Sequence, residues 1–358
     1  MKKKSILLLG HLPPPIMGPS IATKIILDSS LSNYYDITSL DTNTHSRFNQ
    51  IGRFHFQGVL KTIFLYLKQF KIIKKEMFDL ALIPISQSLV GFMKDSFFII
   101  IARKMNVPVL VQLRGSNFNS FIANKYIDSY VRYILSKTSG AIVLHSNYKY
   151  LFKKYLPENK IFDVTNGVDI SIKRAKQKGD KIKILFLSNM LKSKGILDVL
   201  DAFSLAIKDN ENIELTLAGS CKDIDVREKI DSMKNQCPIK YVGLVNHDEK
   251  LECLKNADIF VFTPNMPEGL PWSIIEALAA GLPIIINNLG NGCELVENNK
   301  NGFVVSSSIE TSDKIVELSK NKNLRDRMSY ESKKIYLSRF TEQNMVDQYI
   351  KVFNSIYK

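Results

Sequence analysis

Two carboxylates eight positions apart, Glu268 and Glu276, stand in the segment MPEGLPWSIIEALAAGLPIII, residues 266–286. Glu268 lies in a loop stiffened by Pro264, Pro267, Gly269 and Pro271. Glu276 lies in an apolar stretch that reads as a short helix from about Pro271 or Trp272 to Ala280. Pro271 suits a first turn, and Gly281 suits the residue after the last one. A helix N-terminus offers free N–H groups and the positive end of a dipole, so it suits a phosphate. Glu268 would stand beside a ligand there, and Glu276, about one and a half turns in, could reach back to it. Two acids around an anion site are unfavourable unless they accept hydrogen bonds from ligand hydroxyls. A sugar and a ribose on either side of a diphosphate would supply them. The plainer alternative is a capped helix with one exposed glutamate.

The elements that must position these acids follow from the apolar pattern. Strand candidates in the first half are 5–10, 79–85, 107–113, 140–146 and 160–164; those in the second half are 181–188, 213–219, 239–243, 258–264 and 283–287. Amphipathic intervals such as 57–76, 88–104 and 120–137 separate them. Apolar strands alternating with helices predict parallel sheets buried on both faces. Two such runs predict an α/β chain of two doubly wound domains with a cleft between them, and 358 residues is long enough for both. The polar, lysine-rich stretch 166–181 reads as the join, and the last fifty residues read as two or three helices without a strand. Ligands on open parallel sheets bind beyond the carboxyl ends of the strands, which directs attention to loops 10–20, 113–119, 188–195, 219–225, 243–247 and 264–272.

Composition bounds the partners. Hydrophobic residues make up 45% and charged residues 23%, as expected of a globular chain. The net charge of +14 is uneven: residues 1–170 hold 22 Lys+Arg against 10 Asp+Glu, a balance of +12. An anionic partner is therefore expected on the first half: a phosphorylated ligand, a nucleic acid or an anionic membrane surface. No nucleic-acid module or aromatic–basic platform is present, which argues against nucleic acid. Lys2 to Lys4, Lys68, Lys71, Lys74, Lys75, Lys149, Lys153 and Lys154 are candidate lipid contacts, and segment 59–75 mixes lysines with Leu, Ile, Phe and Tyr as an interfacial face does. The opening MKKKSILLLGHLPPP has only Ile6–Leu9 as an apolar run, so it reads as a first strand rather than a signal peptide. Cys221, Cys237, Cys253 and Cys293 form no CxxC pair and read as reduced thiols of a cytoplasmic protein. Peripheral attachment to the inner face of a membrane stays open.

The segment EGLPWSIIEALAAGLPII resembles the E-x7-E motif of retaining GT-B glycosyltransferases of family four (glycosyl transferases group 1). ILFLSNMLKSKGILDVLDAF (184–203), LTLAGS (215–220), YVGLV (241–245), NADIFVFTP (256–264), NGFVV (301–305) and RFTEQNMVDQYIKVF (339–353) fall in that family's order. LPPPIMGPSIAT (12–23) resembles its diphosphate-approaching loop, and NGVD (166–169) the join between its domains. The resemblance implies an acceptor-binding domain at 1–168, a nucleotide-sugar-binding domain at 169–340, and a C-terminal helix at about 341–358 that packs back on the first. It implies that Glu276 binds ribose hydroxyls and that Glu268, with backbone N–H groups around Gly269 and Leu270, holds the donor sugar. Lys194 would neutralise the diphosphate, Gly18 would admit the phosphates close to the backbone, and Gly243 and Leu244 would line the base pocket. The donor would be a UDP- or GDP-sugar, and the acceptor a glycan or lipid-linked glycan in surface polysaccharide assembly.

Two positions depart from the family pattern. Asn189 replaces the usual Arg five positions before the lysine, so Lys194, with Lys192 or Arg114, would have to supply the positive field. The first loop has Gly18-Pro19 in place of a glycine pair. Arg114 would face the reaction centre or a phosphate, or else lie on the surface. Asp223-Ile224-Asp225 could in principle hold a metal, but after LAGSCK it reads as a helix start, where acids favour the dipole. A metal-independent enzyme with no cofactor besides its donor is the expectation. A sugar-nucleotide epimerase of the same fold and a non-catalytic sugar-nucleotide or membrane binder are the alternatives.

Overall fold

A computed structural model describes residues 3–14, 18–44, 56–172 and 181–357. Residue 2, residues 15–17 of the first loop and residues 173–180 of the expected join lie outside the described residues. The chain divides into two compact units, Met1–Asn166 with Glu342–Lys358, and Gly167–Thr341.

In unit 1, strands β1 (Lys4–Gly10), β2 (Tyr35–Asp41), β3 (Leu80–Ile85), β4 (Val109–Leu113), β5 (Gly140–Val143) and β6 (Ile161–Asp163) form a sheet of order β2-β1-β3-β4-β5-β6. All its pairings are parallel. The apolar runs serve both faces at once. Leu7, Leu9, Ala81, Ile83, Val109 and Val111 enter one buried cluster, and their neighbours Ile6, Leu8, Leu80, Leu82 and Leu110 enter the other. Successive side chains of a strand point to opposite faces, so a sheet covered on both sides needs every residue apolar. Helices α1 (Gly18–Asp28), α2 (Phe56–Lys75), α3 (Leu89–Lys104), α4 (Phe118–Phe121) and α5 (Lys125–Leu135) connect the strands.

Unit 2 repeats the plan. Strands β7 (Ile182–Leu187), β8 (Ile213–Ala218), β9 (Ile239–Gly243), β10 (Ile259–Phe262), β11 (Ile284–Asn287) and β12 (Gly302–Val305) order as β12-β11-β10-β7-β8-β9, again all parallel. Between and after them lie α6 (Ile196–Asp209), α7 (Ile224–Lys234), α8 (His247–Asn256), α9 (Trp272–Ala279), α10 (Ser308–Lys320) and α11 (Lys322–Arg339). The last helix, α12 (Glu342–Ile356), belongs to unit 1, where Met345, Tyr349 and Phe353 complete the second apolar cluster.

Ten of these strands coincide with the apolar runs of the sequence. The other two, β2 and β12, are edge strands; YDITSLD is only partly buried and so lacks a continuous apolar run. No helix among the described residues is long and apolar enough to cross a membrane. The four cysteines are separate free thiols.

Candidate active site

The site is built at the carboxyl ends of β7 to β11 in unit 2. After β7 the chain makes one tight turn, Lys192–Lys194, and enters α6 through Gly195 at φ 78°. That conformation suits glycine, and a Cβ there would collide with the carbonyl of Thr263 at the end of β10. The missing side chain lets the β7–α6 turn lie on the β10–α9 loop. Asn265 laces them together: its backbone N–H donates to the Ser193 carbonyl at 3.0 Å, and its side-chain amide to the Lys192 carbonyl at 3.3 Å. In consequence the Lys194 amino group donates to Glu268 Oε1 at 2.5 Å, with both side chains partly buried.

The Glu268 backbone is gripped from its other side. It forms a parallel bridge with Gly290, whose φ of 70° and lack of a Cβ allow the approach. Asn287, ending β11, donates its amide to the Pro264 carbonyl at 2.7 Å. Gly269 and Leu270 are buried behind Glu268. Pro271 occupies the N-cap of α9 and brings no capping side chain.

Glu276 is not the exposed glutamate of the plainer sequence reading. It is 7% exposed, because α9 is apolar all round and buried. Lys250 of α8 donates to its Oε1 at 2.5 Å. Burial pushes the Glu276 carboxyl above the usual carboxylate range, against the pull of Lys250 and, less strongly, His247. The pair gives a stability test. Lys250→Met leaves a buried carboxylate uncompensated and is expected to cost roughly 3–5 kcal/mol at pH 8. A carboxyl raised in the folded state is penalised only where it must ionise. The cost should therefore shrink as the pH falls toward the unfolded carboxyl value, where Glu276 is protonated in both states. Urea unfolding of both proteins across this range checks it; a cost independent of pH would contradict the pairing.

Asn189 does not face Lys194 as a partner. Its Oδ1 accepts from Ser220 Oγ at 2.7 Å, bracing the ends of β7 and β8. Lys192 does not add to the positive field as expected. It pairs with Asp225 at 2.8 Å and lies 4.0 Å from Asp223, so its charge is compensated. Asp223 is the N-cap of α7, accepting from the N–H groups of Asp225 and Val226. Gly243 has φ 78° with open space where a Cβ would stand, its carbonyl accepts from Gly219 N–H at 2.7 Å, and Leu244 beyond it is exposed.

Gly18, which opens α1, and Arg114, which follows β4, belong to unit 1. Arg114 donates to Gln112 Oε1 at 3.0 Å and to the Pro19 carbonyl, next to Gly18, at 3.1 Å. Gln112 in turn donates to the Tyr349 hydroxyl of α12 at 2.9 Å. Burial lowers the guanidinium from its ordinary pKa and Tyr349 opposes the shift. Arg114 is therefore neither a free surface arginine nor a loose cation; it ties α12 to the start of α1.

Sequence reasoning missed Lys250, Asn265 and Gly290. The LGNG loop after β11 carried a signal, since it follows a strand that the apolar pattern does reveal. Lys250 carried none, being one lysine in the polar helix HDEKLECLKN.

Comparison with known proteins fits this arrangement. Residues 168–335 match the family model described as glycosyl transferases group 1. The capsular polysaccharide biosynthesis glycosyltransferase CapM of Staphylococcus aureus is 24% identical over 271 residues, 69% of this chain and 70% of that protein. The UDP-Gal:alpha-D-GlcNAc-diphosphoundecaprenol alpha-1,3-galactosyltransferase of Escherichia coli is 28% identical over 272 residues, 69% and 67% respectively. The match thus spans about two thirds of each of these two relatives. Among solved structures, Anabaena HepE in complex with UDP and glucose superposes with TM-score 0.76 at 16% identity, covering 98% of this chain and 100% of that one. Residues 168–335 thus match the glycosyl transferases group 1 model, and the chain has the GT-B fold of two Rossmann-like units.

Proposed function

We propose that this protein transfers a hexosyl group, with retention of configuration, from a UDP- or GDP-sugar to a hydroxyl of a lipid-linked glycan during assembly of a bacterial surface polysaccharide. The observation that carries the reading is the clamp in unit 2: a lysine ammonium fastened beside Glu268, at the carboxyl edge of a parallel sheet and before the N-terminus of α9. Support for the substrates comes from the relatives. One is named for capsular polysaccharide, one for a UDP-sugar and a diphosphoundecaprenol-linked sugar, and one was solved with UDP and glucose.

The donor's diphosphate would lie against Lys194 and the N–H groups that open α9, its ribose hydroxyls would donate to Glu276, and its sugar hydroxyls to Glu268. Gly243 and Leu244 would flank the base, and Asn189 would shape the floor without adding charge. Breaking the anomeric C–O bond builds negative charge on the departing diphosphate, and a preorganised cation lowers that barrier. The acceptor hydroxyl attacks the anomeric carbon from the face the diphosphate leaves, and its proton passes to a phosphate oxygen. Lys194 and the helix terminus do the charge work a divalent cation would otherwise do, so we read the reaction as independent of metal. A lipid-linked acceptor would place the enzyme at the cytoplasmic face of a membrane.

The test is a panel of UDP- and GDP-sugars offered to the full chain with lipid-diphosphate-linked acceptors in the presence of EDTA, products being read by mass spectrometry and NMR. Transfer with an axial linkage retained from the donor is expected. Conversion of the donor to an epimer without any acceptor would overturn the reading.

A further inference from the structure

We propose that the paired outer faces of α2 and α3 form a docking surface for an anionic lipid bilayer. This surface lies wholly in unit 1 and stands independently of the transfer chemistry assigned to unit 2.

The α2 helix is amphipathic in an unusual sense. Its inward stripe carries Gln69 and Ile73, both buried, with Gln69 donating to the Phe98 carbonyl of α3 at 3.0 Å. Its outward stripe runs Leu60, Phe64, Leu67, Lys71, Lys74, the spacing of one helix face. The first three are apolar yet 53%, 65% and 56% exposed. On α3 the same holds at Val90, Met93 and Phe97, again one face, with Val90 at 70%. Tyr66, on the side of α2 that faces α3, links the two helices: its ring lies 5.5 Å from that of Phe97, and its hydroxyl donates to the Lys94 carbonyl. Exposed Val59, Ile63 and Phe70 lie round α2 between that contact and the outward stripe, so the two neighbouring helices present adjoining apolar faces. Scattered exposed apolar residues are ordinary, but a contiguous patch of large ones marks an interaction site.

Charge selects the occupant. No acid occurs in α2, whereas Lys61, Lys68, Lys71, Lys74 and Lys75 do, and among the described residues none of these has an ion-pair partner. The acid of α3, Asp95, is buried and accepts from the Ser86 N–H. A second copy of the same face would set lysine against lysine. An anionic headgroup layer over an acyl interior complements both the lysines and the Phe and Leu side chains. The structure also removes other candidates. Lys149, Lys153 and Lys154, expected from the sequence as lipid contacts, are paired with Asp163, Glu158 and Asp128. Their charge is offset by neighbouring acids, whereas the five lysines of α2 stand on a helix without an acid.

The experiment is co-sedimentation of the full chain with vesicles of phosphatidylcholine alone or mixed in equal parts with phosphatidylglycerol. Binding is expected only to the mixed vesicles. Phe64→Ser with Leu67→Ser should weaken it about tenfold or more, as loss of buried apolar area requires. Lys68→Gln, Lys71→Gln, Lys74→Gln and Lys75→Gln together should abolish the preference for phosphatidylglycerol. All replaced groups are exposed, so the thermal transition should stay put, and donor binding by unit 2 should not change. As a second readout, the emission of Phe64→Trp should move to shorter wavelength on adding mixed vesicles. Equal binding by parent and variants, no binding at low salt, or self-association abolished by Phe64→Ser would each overturn the proposal.

Discussion

Replacing Glu268 by Ala should lower turnover about 100-fold or more while the protein stays folded, because misplacing a reacting group by even an ångström costs about that much. The reason lies in what surrounds it. Glu268 is the acceptor that fixes the Lys194 ammonium, and its own backbone is held by the bridge to Gly290 and by the loop laced through Asn265. Truncation therefore removes two things at once: a carboxylate for donor-sugar hydroxyls, and the tether that aims the lysine. The fold should not suffer, since the side chain is partly exposed and the loop keeps its other bonds. Glu268→Gln separates the effects. It keeps an acceptor oxygen for the sugar but loses the charge that holds Lys194, so its turnover should fall between those of the parent and Glu268→Ala. Steady-state kinetics with saturating acceptor reads both. A folded Glu268→Ala variant at near-parental turnover would sink the assignment.

Lys194→Met should cost about 10²- to 10³-fold in kcat, the magnitude seen when one preorganised donor to a developing oxyanion is removed. Asn189 brings no charge, and Lys192 is committed to Asp225. No second cation of the β7–α6 turn is therefore free to take over. Because the diphosphate is more negative as it departs than when bound, the loss should appear in kcat more than in the donor KM. Asn189→Arg is the complement. A new guanidinium near the turn should partly rescue Lys194→Met. No rescue, with Lys194→Met still active, would mean that the diphosphate lies elsewhere.

How much of this was legible depends on which residues one follows. The two sheets were legible because strands such as SILLLG and PIIIN are buried on both faces and leave no polar interruption. β2 was not, because an edge strand needs only half its side chains apolar. The burial of Glu276 could have been read, since a helix whose other faces are Ile274, Ile275, Ala277 and Leu278 has no solvent side on which to place a glutamate. Its partner could not, because the Lys250 contact spans 26 residues and nothing local distinguishes that lysine from its neighbours. Lys192 misled for the same reason: the acid that pairs with it lies 33 residues on, after the neighbouring strand β8. Spacing shows which groups share an edge, and only packing shows which of them are already paired.

The central claim is that a nucleotide-diphosphate seats at the carboxyl edge of unit 2 between Lys194 and Glu276. The direct measurement is a crystal structure of the full chain with whichever of UDP or GDP raises its thermal transition. The account predicts a distal phosphate oxygen within about 3 Å of Lys194 Nζ and the ribose hydroxyls within the same reach of Glu276. A nucleotide bound with its diphosphate away from Lys194 and its ribose away from Glu276 would contradict it.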